Sequence, residues 1–263
     1  MARVPFAIFA LAFSTWVNLA TASIESPLVV CDTTSTQTDK KAPSIGNWRG
    51  VSMSAVSMAQ FQGNLEEYNA TWGAREGLGL ITDDAVESFR FEFNPFEKRQ
   101  RMLGEFIGIT TGLGFDWWHV GVDNAHRLEY ASNLDAVVAQ AFNPDSIHVS
   151  RNHLNAVYLR VPILASLHTF RAGQSGFHIE AGLVGGYLIH GKYTFEEKTS
   201  WSTNTSEEDF PINPLQIHAR IAVGFGKASL LGEASLLPFF DESPADVPSM
   251  HSFSVGLQFR FSE

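Results

Sequence analysis

Residues 176–193 read GFHIEAGLVGGYLIHGKY. The stretch is apolar enough for a buried or membrane-embedded helix, yet it carries His178, Glu180, His190, Lys192 and several glycines. Taken at period two, the mixture sorts itself. Phe177, Ile179, Ala181, Leu183, Tyr187, Ile189 and Tyr193 share one parity with two glycines, while His178, Glu180, Gly182, Val184, Gly186, Leu188, His190 and Lys192 share the other. Successive side chains of a strand point to opposite faces, so this is a strand with one greasy face and one small or polar face. It is also longer than the roughly ten residues that bound most soluble strands.

The alternation recurs along the chain. It is present in 105–118, where Ile107, Ile109, Leu113, Phe115 and Trp117 oppose Gly108, Thr110, Gly112, Gly114 and Asp116. It continues in 157–169, 215–226, 228–237 and 251–261. Phe89, Phe91 and Phe93 oppose Arg90, Glu92 and Asn94, and residues 48–61 supply a further segment. Eight strands result, an even number. In a soluble barrel the greasy parity points inward; in a transmembrane barrel it faces lipid. The polar parity here is Gly, Ser, Thr and His with single charges, not the Lys, Glu and Asp of a solvent-washed face. Trp117, Trp118, Tyr187, Tyr193 and Phe261 lie near strand ends, as an interfacial girdle requires. The expected fold is therefore all-β, an eight-stranded antiparallel up-and-down transmembrane β-barrel.

Connection lengths support this. Long gaps at 64–87, 123–153 and 196–212 and a moderate one at 239–249 alternate with short ones at Glu97–Gly104, Phe170–Ser175 and Gly226–Lys227. Short periplasmic turns alternating with long external loops are the pattern of outer-membrane barrels. The long connections hold much of the acidic charge, including Glu66, Asp83, Glu197 and Asp209.

The N-terminus begins with Arg3, an apolar stretch and Ala20-Thr21-Ala22, which reads as a secretory signal over 1–22. A flexible periplasmic lead-in over 23–46 and a barrel over 47–263 complete the expected organisation. Cys31 is the lone cysteine, so no intramolecular disulfide forms, and it reads as a thiol in a tail. A net charge of −10 argues against a nucleic-acid partner.

On lumen parity stand Arg160, Arg220 and Arg260 with Asp116, Glu180 and Glu233, joined by His178, His218, Gln258 and Tyr158. Unpaired buried charge is costly, so these are expected to form a network filling the lumen. His168 and His190 share the parity, but no H-x-x-x-H spacing supports a metal site. Pro162 lacks an amide hydrogen and implies a bulge or an interrupted ladder. GQSGF at 173–177 lacks the last glycine of a nucleophile elbow, and no H-E-x-x-H or P-loop occurs. Asp116, His119 and Asp123 read as polar residues at a loop entry. No catalytic residue, cofactor or metal is expected.

Tyr158, Leu159, Val161, Pro162 and Leu164, followed by Glu180, Ala181, Gly182, Gly186, Tyr187 and Leu188, resemble the Y-L-x-[IV]-P-x-L and E-A-G-x-x-x-G-Y-L strands of the PorT-like outer-membrane β-barrel family of Gram-negative bacteria. Ser235, Leu236, Leu237, Pro238 and Phe240 match a late motif loosely, with Ser235 where that motif has tyrosine. The resemblance spans about residues 48–261 and implies an outer-membrane location with no single activity. The expected role is structural, or docking of other envelope proteins through external loops. A narrow channel for small solutes and a soluble lipocalin-like barrel are the alternatives.

Overall fold

A computed structural model describes residues 46–60, 88–103, 106–122, 126–131, 136–141, 148–169, 176–198, 203–208, 211–241 and 250–261. The described residues form strands and turns only. The signal segment, most of the lead-in, Cys31 and Asp123 lie outside the described residues.

Eleven strands follow in order: β1 (Gly50–Gln60), β2 (Phe89–Leu103), β3 (Ile107–Gly121), β4 (His126–Ala131), β5 (Ala136–Ala141), β6 (His148–His168), β7 (Phe177–Lys198), β8 (Thr203–Glu208), β9 (Leu215–Phe225), β10 (Ala228–Ser235) and β11 (Met250–Arg260). Eight of them, β1-β2-β3-β6-β7-β9-β10-β11, pair antiparallel with sequential neighbours, and β11 returns to β1 to close the barrel. These eight are the segments whose alternation the sequence displays. No helix among the described residues is long and apolar enough to cross a membrane.

The orientation of the two faces settles the class of barrel. Ile107, Leu183 and Val255 are 40%, 49% and 61% exposed, whereas Arg160 and Glu180 are 1% exposed. A soluble barrel would show the reverse. Along β3 the outward run from Ile107 to Trp117, apolar except for Thr111, covers about 33 Å of strand at roughly 3.3 Å per residue, or about 25 Å of height at a typical tilt near 40°. That is the height of a membrane band. Phe91, Phe115 and Trp117 cluster at its far edge, with ring centroids 5.9 and 6.1 Å apart.

Several expectations need correction. Glu97–Gly104 is not a turn: β2 continues through Leu103, with register shifts between Phe93 and Phe96 and between Arg101 and Leu103. At the other end β6 begins at His148 and β7 runs to Lys198, so the long connections at 123–153 and 196–212 are partly strand. They also hold the β4–β5 hairpin and β8, which pairs with β7 over Tyr193–Lys198 where β9 no longer does. A bulge in the β6–β7 ladder between Val157 and Tyr158 places one extra β7 residue, Ile189, in the register. Beyond it the parity of β7 reverses. His190 is consequently exposed instead of facing the lumen, and Tyr193 is fully buried instead of joining the girdle. Trp118 is likewise buried.

Pro162 does what its missing amide requires. The β3–β6 ladder pairs Thr111 with Ile163 and Gly114 with Arg160, and is interrupted between them. At the β9–β10 turn, Gly226 takes φ 62°, a left-handed conformation that a side chain would strain.

Candidate functional site

The lumen is filled in three tiers, each built by a different stretch of the inward parity. The middle tier is ionic. β2 contributes Arg90 and Glu92, β3 Asp116, β6 Arg160, β9 Arg220 and β10 Glu233, all buried. Cross-strand register brings them to nearly one level: Glu92 faces Asp116, and Arg220 faces Glu233. Arg90 reaches Glu92 at 2.8 Å, Asp116 at 2.8 Å and Glu233 at 2.6 Å. Arg160 reaches Glu92 and Glu233 at 2.7 Å each and Asp116 at 3.7 Å. Arg220 pairs with Glu92 at 2.9 Å and also with Glu233. Three cations meet three anions, so the set is neutral and each desolvated charge has opposite partners, the condition under which buried ions are tolerated.

Neighbouring groups complete the set. The Trp118 indole N–H donates to Asp116 at 2.7 Å, Arg220 donates to Gln258 Oε1 at 2.9 Å, and Arg90 donates to Ser254 Oγ at 3.1 Å. Arg90 lies 4.9 Å over the Trp118 ring, while Arg220 and Arg160 lie 4.9 and 5.9 Å from the Trp48 ring. The guanidinium layer is therefore sandwiched between two indoles, a desolvated setting that favours cation–π attraction. On β7 the positions beside Arg160 and Arg220 are Gly186 and Gly182, so the long arginine side chains meet no opposing one there.

The tier at the short-turn end is a strap made by Gly46–Arg49. Glu97 accepts hydrogen bonds from the Gly46 and Arg49 amides, both at 2.8 Å. Asn47 donates its amide to Glu180 at 3.3 Å and its side-chain nitrogen to His168 at 2.9 Å. Gln258 donates to the Asn47 and Trp48 carbonyls at 2.6 and 3.1 Å, and Arg260 donates to Asn47 Oδ1 at 2.9 Å. Nearby, His178 Nε2 lies 2.8 Å from Ser229 Oγ. This pair has the composition of a nucleophile and base, but both residues are buried. A methyl group on Gly224 would stand 2.5 Å from Ser229 Oγ and 2.6 Å from His178 Nε2, so β9 packs closely against the pair.

The third tier, toward the long connections, is apolar. Val56, Met58, Trp118, Val120, Leu154, Tyr158, Tyr193, Phe195, Ile212, Phe239, Phe240 and Met250 pack as one buried cluster, with Leu128 of β4 inserted among them. The Tyr193 hydroxyl accepts the Leu128 amide at 3.0 Å and donates to Asn152 at 2.8 Å, tying the β4–β5 hairpin to β7. Beyond the membrane band the barrel is thus finished like a soluble protein, with a dry inside and polar outward residues such as Asn155, Lys192 and Arg151.

Of the sequence-nominated charge network, Asp116, Arg160, Arg220 and Glu233 come together. His218 stands at its edge, 3.9 Å from Glu233 and with its ring centroid 5.8 Å from that of Trp118. Glu180, His178 and Arg260 sit one tier away with the strap. Arg90 and Glu92 complete the ionic tier and were absent from that network, although the alternation of Phe89, Phe91 and Phe93 already gives them lumen parity.

Residues 56–240, more than half of the chain, match the family model described as outer membrane protein beta-barrel domain. No curated protein and no solved structure matches the chain. A closed eight-stranded barrel, greasy outside and ionic within, agrees with that match, and the chain belongs to the outer membrane protein β-barrel domain family, embedded in the outer membrane.

Proposed function

We propose that the protein is a non-enzymatic, non-conducting outer-membrane barrel of porin-like, PorT-like type, structural in role or docking other envelope proteins through the elements beyond the outer boundary. The reading includes export by the signal segment 1–22 and a periplasmic lead-in over 23–46. One observation carries it: six interlocked charges on five strands bridge the lumen, with two indoles against them. An ion crossing the barrel would have to break this neutral set and then traverse a dry apolar tier. The parts suited to meeting partners are β4, β5 and β8, which lie outside the eight-strand ladder.

Reconstitution into planar bilayers tests this. The sealed reading expects no steady current at either polarity. A steady, voltage-independent open current from the full chain would favour the narrow channel instead.

A further inference from the structure

The outward face changes character in one step at the edge of the apolar band. On β3, Trp117 is followed outward by His119; on β6, Val157 is followed by Asn155 and His153. In the β3–β6 ladder His119 faces Asn155 and Gly121 faces His153, which makes the two histidines diagonal neighbours. Their ring centroids are 4.7 Å apart and the rings are tilted by 38°. Phe89 lies against His119 at 5.2 Å. The Asn155 Oδ1 is 2.8 Å from His119 Nδ1. A carboxamide oxygen only accepts, so in the neutral ring Nδ1 carries the proton and Nε2 keeps its lone pair. Hydrogen bonding of one ring nitrogen is how metal-binding imidazoles are oriented.

We propose that His119 and His153 form a binding site for a borderline transition-metal dication of the Cu2+, Zn2+ or Ni2+ class at the outer boundary of the membrane. Both imidazoles ride on adjacent strands of a closed barrel, so their approach is preset by the ladder. No set of three histidine, cysteine or carboxylate ligands occurs among the described residues. The ion therefore keeps open positions for water or an external donor. Imidazole nitrogens select this class over Mg2+ and Ca2+, which take oxygen ligands, and within it copper binds most tightly.

The test is calorimetric titration of untagged full-length Cys31→Ser protein in detergent micelles with Cu2+, Zn2+ and Mg2+ separately, alongside electron paramagnetic resonance of the copper complex. The expected result is saturable binding of one Cu2+ with imidazole nitrogen coupling, weaker Zn2+ binding and no response to Mg2+. His119→Ala and His153→Ala each weaken copper binding at least tenfold, and Asn155→Ala weakens it by about tenfold or more through loss of orientation. His190→Ala, an outward histidine on β7, leaves it unchanged. His119→Gln gives the same loss if the alanine variant fails to show the heat-modifiable gel migration of a folded barrel. Absence of saturable copper binding, or binding that survives in the His119→Ala/His153→Ala double variant, overturns the proposal.

Discussion

Glu92 touches all three arginines of the ionic tier, at 2.7 to 2.9 Å. Removing its charge leaves an excess of cation in a desolvated ring. Glu92→Gln is expected to cost about 3–5 kcal/mol, the range for breaking one partner out of a buried ionic set. Urea unfolding from lipid vesicles measures it, and a loss below about 1 kcal/mol would mean the charges are hydrated. Two glycines contrast the faces. At Gly224 an added methyl meets His178 at 2.6 Å, whereas at outward-facing Gly185 the nearest atom is the Val161 carbonyl at 3.9 Å. Gly224→Val is expected to cost about 1–3 kcal/mol or to block folding, and Gly185→Ala to stay within about 0.5 kcal/mol, read from the temperature of the gel-migration shift. Arg90 and Glu92 were legible in the sequence by parity. Which of the nominated charges they pair with was not, because alternation assigns a face and says nothing about height on a neighbouring strand.

At the scale of the element, the strap Gly46–Arg49 and the ladder around β7 show what a one-dimensional pattern conveys. The eight barrel strands announce themselves because each must show lipid a continuous greasy face. The bulge at Val157/Tyr158 does not, since it is a property of two strands in register; Ile189 alone carries no sign that His190 and Tyr193 will exchange faces beyond it. Nor does the strap, whose polar residues precede β1 and acquire meaning only against Glu97, Glu180, His168 and Gln258. Trp48 anchors that strap beneath the arginine layer and is fully buried. Trp48→Ala is expected to cost about 3–5 kcal/mol and to loosen the strap while the outer tier stays intact. Hydrogen exchange in micelles should show faster exchange of the Arg49 amide, with β6 and β7 protection near His153 and Thr194 unchanged. Equal loss at both ends would mean that the tiers unfold as one unit.

For the whole molecule, one chain runs two interiors in series. Inside the membrane band the lumen is polar because the outward face has taken the apolar residues. Beyond the band the outside is wet, and apolar residues return to the inside, from Val56 and Val120 to Phe239. The same alternation serves both, with its sense reversed where the solvent changes. That reversal is why the fold class could be read from parity, while the girdle assignment of Trp118 and Tyr193 could not: the sequence does not mark where lipid ends. The most direct measurement is therefore of which face meets lipid. In a Cys31→Ser background, nitroxide labels at Leu183→Cys and Val255→Cys in reconstituted vesicles should relax strongly with oxygen and weakly with a water-soluble nickel chelate. Strong relaxation by the chelate and weak relaxation by oxygen at both positions would contradict a barrel that turns its apolar face to the membrane.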